Sequence, residues 1–192
     1  QCCEDIAVMR TIPGMTVIVP SDDVEAKAAV KAAAEMEGPV YMRFGRLAVP
    51  VINDTADYKF EIGKGTVLKE GSDVAIIANG LCVAEALEAA KKLEAEGINA
   101  KVINMATVKP LDEELVLAAA KETGKVVTVE EHSVIGGLGS AVCDVLSEKL
   151  PTPVLKIGVN DVFGHSGPAV ELIKEFGLDG DSIAQKVKDF VK

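Results

Sequence analysis

The stretch Val74-Ala75-Ile76-Ile77-Ala78-Asn79-Gly80-Leu81-Cys82-Val83-Ala84-Glu85-Ala86-Leu87 decides the fold. Five uninterrupted apolar residues are too few for a helix and suit a strand buried on both faces. Asn79-Gly80 breaks the run, and the residues from Cys82 onward return apolar side chains at helical spacing as far as Glu96. The same unit then repeats downstream. A strand over Ala100 to Met105 leads through Lys109-Pro110 to a helix over Asp112 to Thr123. A strand over Lys125 to Glu130 leads to a helix from about Gly137 to Leu150, and a strand over Val154 to Val159 precedes short helices over Ala169 to Phe176 and Ser182 to Val191. Strand, helix and strand at this spacing demand right-handed crossovers. The expected fold is α/β, a mostly parallel sheet with helices on both faces, over residues 66–192.

Working back toward the N-terminus, the pattern thins. Glu4 to Ile12 reads as a helix stopped by Pro13-Gly14. Thr16 to Val19 is a short strand ended by Pro20. Ser21, Asp22 and Asp23 open an Ala-rich helix that runs to about Glu37-Gly38, and Val40 to Phe44 is a second strand. Gly45 to Gly65 shows no sustained period, and within it residues 53–65 read as a linker. Residues 1–52 therefore hold two strands and two helices, too little to cover a parallel sheet. They read as a partial domain that is truncated or completed by another chain.

Composition narrows the function. Aromatic residues are 4% and Trp is absent, so the core is aliphatic. Lys and Arg number 20 against 30 Asp and Glu, a net charge of -10, which disfavours nucleic acid and anionic membrane as partners. No apolar run is long enough to span a bilayer, and the polar opening with Gln1, Glu4 and Asp5 is unlike a signal peptide. The four cysteines, Cys2, Cys3, Cys82 and Cys143, show no C-x-x-C pair, and only His132 and His165 could join them. They read as reduced thiols of a cytoplasmic protein, and a metal site is not expected.

Several stretches invite a catalytic reading and each has a plainer one. Ile135-Gly136-Gly137-Leu138-Gly139 lies between a strand and a helix, where phosphate-binding loops lie, but Val142 stands where the third glycine of the fingerprint belongs. Glu130 and Glu131 beside it would repel a phosphate, so a tight turn and close helix packing account for the glycines. His132 and His165 are each either a general base or a structural histidine, with no nucleophile evident beside them. Asp179-Gly180-Asp181 reads as a helix cap. The informative site is Arg43-Phe44-Gly45-Arg46 at the C-terminal end of a strand, the end where open parallel sheets bind ligands. Arg43 and Arg46 form either a local anion site in an acidic chain or a pair of solvated or salt-bridged charges.

Longer matches carry a resemblance. Glu4-Asp5-Ile6-Ala7-Val8-Met9-Arg10 and Ile12-Pro13-Gly14-Met15-Thr16-Val17-Ile18-Val19-Pro20-Ser21-Asp22 are similar to the second half of the transketolase pyrimidine-binding domain. Glu130 to Val142, Phe163-Gly164-His165-Ser166-Gly167 and Phe176-Gly177-Leu178 resemble the transketolase C-terminal domain. The resemblance implies residues 1–52 as the end of a pyrimidine-binding domain and 66–192 as a C-terminal domain. It implies transfer of a two-carbon ketol unit between sugar phosphates in carbohydrate metabolism of the pentose phosphate type. Thiamine diphosphate supplies the carbanion that takes up the unit. Its activating glutamate and the family's Gly-Asp-Gly magnesium motif are not matched here, so the chain is expected to be inactive alone and to bind neither thiamine diphosphate nor Mg by itself. The partners implied are an N-terminal transketolase section and a second copy in a homodimer. Of the family's substrate contacts, only its phosphate-binding arginine falls on this chain, at Arg46. Arg43 matches a basic position of the related deoxyxylulose-phosphate synthases. That synthase, a 2-oxoacid dehydrogenase β-subunit and a non-catalytic assembly or regulatory module are the competing readings.

Overall fold

The computed structural model describes residues 2–54 and 58–192. Gln1 and residues 55–57 of the expected linker lie outside the described residues. The N-terminal segment contributes α1 (Asp5–Thr11), β1 (Thr16–Ile18), α2 (Asp23–Glu35) and β2 (Val40–Met42). The remainder contributes β3 (Thr66–Lys69), β4 (Val74–Ala78), α3 (Cys82–Ala95), β5 (Ala100–Asn104) and β6 (Thr107–Lys109). After these come α4 (Glu113–Thr123), β7 (Val126–Ser133), α5 (Leu138–Lys149), β8 (Val154–Val159), α6 (Ala169–Glu175) and α7 (Gly180–Val191).

The main sheet has the order β3-β5-β4-β7-β8. β5, β4, β7 and β8 run parallel, and β3 closes one edge antiparallel to β5. Period-two alternation sorts β4 between two cores. Val74, Ile76 and Ala78 face α3, α6 and α7, whereas Ala75 and Ile77 face α4 and α5. The central strand is wholly buried, as an uninterrupted apolar run predicts. β3 and β6 are absent from the sequence reading because each is short and carries lysine.

β6 joins the two segments. It leaves β5 and pairs antiparallel with β1, Ile18 opposite Thr107 and Val17 opposite Lys109, in a second sheet ordered β2-β1-β6. Val19 N–H donates to Ala106 O at 2.7 Å and Gly80 N–H to Val19 O at 3.2 Å. Ile6, Val17 and Val19 lie in the same core as Ile77, Met105 and Leu138. Burial of each such side chain contributes roughly 1.5–3 kcal/mol. The N-terminal segment and the main body thus share one core. No helix is long and apolar enough to cross a membrane, among the described residues.

A buried polar network fastens the start of α2 to both the connection and the main sheet. Asp22 caps α2 by accepting from Glu25 N–H at 2.8 Å. Its other oxygen accepts from the N–H groups of Ile52 and Asn53, each at 2.8 Å. Glu25 accepts from Ser21, Tyr58 and Asn104, the last from the end of β5. Burial pushes the Asp22 carboxyl up, but the hydrogen bonds from Glu25, Asn53 and Ile52 outweigh it and hold the group below its ordinary value. A depressed carboxyl pKa stabilises the fold above the unfolded value and loses that contribution as pH falls through the folded value. Asp22→Ala is therefore expected to cost about 2–4 kcal/mol at pH 7, from the lost cap and the orphaned donors. In urea melts the difference from wild type should shrink as pH drops below about 4. A difference independent of pH would show that the carboxylate charge is not what these donors require.

Candidate functional site

In an open parallel sheet the binding crevice opens at the C-terminal ends of the two strands from which the chain departs in opposite directions. Here those are β4, which leads to β5 on one side, and β7, reached on the other. The crevice is bounded by the turn Asn79-Gly80-Leu81 and the loop Val134 to Gly137. The chain's own N-terminal segment covers it, α1 against the loop and Val19 against Gly80. Ile6 is 1% exposed there. Ala7 N–H donates to His132 Nε2 at 3.2 Å, and Arg10 donates to the carbonyls of Gly136 and Gly137 at 2.6 and 3.2 Å. Lys109 in β6 donates to Arg10 O and Ile12 O, satisfying carbonyls at the end of α1.

The glycine loop follows the same logic. Where a phosphate would sit against the start of α5, the Glu130 carboxylate sits instead, accepting from Leu138 N–H at 2.7 Å and Gly139 N–H at 2.9 Å. Burial pushes this carboxyl up, and the two N–H groups pull back without cancelling it. A Cβ on Gly136 would lie 2.6 Å from the Ala7 Cβ, and one on Gly137 would strike Glu130 and come within 2.7 Å of His132 Nδ1. The glycines thus admit α1 and Glu130, as the tight-packing reading expected.

His132 is fully buried. Nε2 accepts from Ala7, so Nδ1 carries the proton toward Ser133 O at 2.7 Å. Both ring nitrogens serve the backbone, which favours the structural alternative. His165 is exposed, with Nδ1 2.6 Å from Glu175 Oε1 and its ring 5.6 Å from that of Phe176. No nucleophile adjoins it in these contacts. Asp179 is the N-cap residue of α7, and Asp181 pairs with Lys92. All four cysteines are free thiols, Cys82 buried.

The two arginines of the candidate anion site part company. Arg43 N–H donates to Ile18 O at 2.9 Å, so its backbone continues the β2 ladder. Its guanidinium lies between carboxylates from both segments, Nη1 2.8 Å from Glu131 Oε2 and Nε 3.3 Å from Asp5 Oδ2. Tyr41 Oη donates to the same Asp5 oxygen at 2.7 Å. Burial and this hydrogen bond push the Tyr41 hydroxyl up to about 12, keeping it a donor. Burial would lower the Arg43 pKa, but Glu131 and Asp5 raise it further. Arg46 is exposed and makes no ion pair with a described residue. Sequence reasoning missed Asp5, Tyr41 and Glu131 as partners of Arg43. Opposite charge was the only signal, and nothing links positions 88 residues apart.

Among the described residues no group of three His, Cys, Asp or Glu side chains could hold a metal ion. At the start of α5 the backbone N–H groups are taken by Glu130, and Ala7 of α1 packs on Gly136. These residues do not fit thiamine diphosphate with magnesium.

Fold and site together define an α/β chain in which a short N-terminal segment packs against one end of a five-stranded sheet. The family described as transketolase, C-terminal domain, matches residues 63–183, and the transketolase pyrimidine binding domain matches residues 1–51. The chain belongs to the transketolase family. A protein named as a transketolase C-terminal section from Methanocaldococcus jannaschii is 49% identical over 100% of this chain and 60% of its own length. The 6-deoxy-6-sulfo-D-fructose transketolase subunit of Clostridium sp. strain MSTE9 is 47% identical over 95% of this chain and 56% of its own length. A solved split-gene transketolase, described as an inactive beta4 tetramer, superposes with a TM-score of 0.92 at 54% identity, covering 98% of this chain and 61% of that one. The chain thus spans about three-fifths of the length of these relatives.

Glu130→Ala is expected to destabilise the fold by about 2–5 kcal/mol, because two buried N–H groups lose their acceptor. Urea unfolding measures it. A loss below about 1 kcal/mol would show that water replaces the carboxylate.

Proposed function

We propose that this chain is the C-terminal section of a thiamine-diphosphate-dependent transketolase that moves a two-carbon ketol unit between sugar phosphates. In this reading residues 1–52 are the end of the pyrimidine-binding domain, 53–65 the linker and 66–192 the C-terminal domain. Thiamine diphosphate and Mg are held by an N-terminal section, the working enzyme is a dimer, and the chain alone is inactive. The subunit and split-gene names of its relatives support the partner.

The observation that carries the substrate reading is Arg46. It stands exposed beyond the C-terminal end of β2, without an ion-pair partner among the described residues, in a chain of net charge -10. An unpaired guanidinium at such a strand end is suited to grip a terminal oxyanion through two N–H groups. A sugar phosphate presents one, as does the sulfonate of a sulfo-sugar. Arg43, already held by Asp5 and Glu131, anchors the loop instead of the phosphate.

In the enzyme assembled from both sections, Arg46→Ala is expected to lower kcat/KM for phosphorylated donors roughly 10- to 100-fold, the equivalent of about 1.5–3 kcal/mol. The loss should lie mostly in KM, since the phosphate is bound alike in ground and transition states. Hydroxypyruvate, which has no phosphate, should be nearly unaffected, and Arg46→Lys should recover part of the loss. Equal losses for both donors with the fold intact would make Arg46 structural.

A further inference from the structure

Three residues separate the two fixed points of the Arg46 loop. At one end Arg43 is held by its backbone bond to Ile18 and by its ion pairs to Asp5 and Glu131. At the other, Leu47 packs against the core that contains Val83, Ala86 and Ile173. Between them a Cβ on Gly45 would meet the Leu81 side chain at 3.8 Å, an ordinary contact. Arg46 alone in this span is charged and unpaired, among the described residues. The carboxylates that hold Arg43 come from different elements. Asp5 opens α1, and Glu131 lies on β7, in the domain that carries none of the expected substrate contacts. Arg43 is 16% exposed in its side chain, so its charge is neutralised where water screens little.

We propose that Glu131 and Asp5 are positioning residues for the substrate's terminal oxyanion: by clamping Arg43 they fix the loop that presents Arg46 and withhold the second guanidinium from the ligand. This deepens the proposed function and rests on its assignment of Arg46. The C-terminal domain thereby acts on the substrate site through one charge, without touching substrate. Glu131 and Arg43 work as a pair, so removing either partner should be felt at Arg46, three residues along.

The test is a double-mutant cycle in the assembled two-section enzyme. Glu131→Gln keeps the shape and removes the charge. It is expected to raise KM for a phosphorylated donor about three- to tenfold while leaving kcat and the KM for hydroxypyruvate within about twofold. In the Arg46→Ala background the same substitution should add nothing further. Asp5→Asn, which loosens the same guanidinium from the other side, should repeat the pattern and serves where Glu131→Gln folds poorly. An unchanged or lowered KM, or the same rise with and without Arg46, overturns the clamp; the last two outcomes would mean that a freed Arg43 binds the anion or that Glu131 acts elsewhere. If Arg46→Ala itself leaves the phosphorylated donor's KM unchanged, the phosphate assignment fails, and the clamp fails with it.

Discussion

The packing of α1 against the loop after β7, with Val19 against the turn after β4, is the contact on which the rest of the structure depends. An open α/β sheet exposes backbone N–H groups and apolar side chains at that end, and something must cover them. Ile6 supplies the apolar plug, His132 receives the Ala7 N–H, and Arg10 takes the carbonyls of Gly136 and Gly137. The glycines are small so that the helix can come close, and Glu130 supplies internally the negative charge that a ligand would bring to α5. That end of the sheet holds two segments of the chain together.

That seating determines the electrostatics. With α1 in place, Asp5 and Glu131 come from separate elements to the same guanidinium, although they are far apart along the chain. The acidic excess is therefore not spread evenly with respect to Arg43 and Arg46. One is enclosed by two carboxylates, and the other, three residues on, projects into solvent. Burial decides the difference: a charge taken out of water requires partners, while an exposed one does not. β6 reinforces the arrangement by carrying the ladder of β1 into the main body, and Lys109 ties the end of α1 to the same strand.

The elements with strong periodicity were legible from residues alone. Val74 to Ala78 and Val154 to Val159 agree with the observed strands at both ends, because an apolar run bounded by turn residues has few alternatives. The helices agree within a few residues, Asp22 and Asp112 marking two starts by their caps. β3 and β6 were not legible. Each has at most four residues, contains lysine, and owes its strand form to a neighbour that local sequence does not name.

The sequence by itself determined the α/β class, the order of the strongly periodic strands and helices, and the family resemblance that the matched domains bear out. Local periodicity and long motifs carry that information without reference to distance in space. Only the tertiary structure decided which partners the charges have. Arg43 and Arg46 are the same residue type at one strand end, and His132 reads equally well as base or buttress until its surroundings are known. Partner choice for a buried charge depends on which atoms the fold brings within about 3 Å, and a linear pattern does not encode that for residues on different elements.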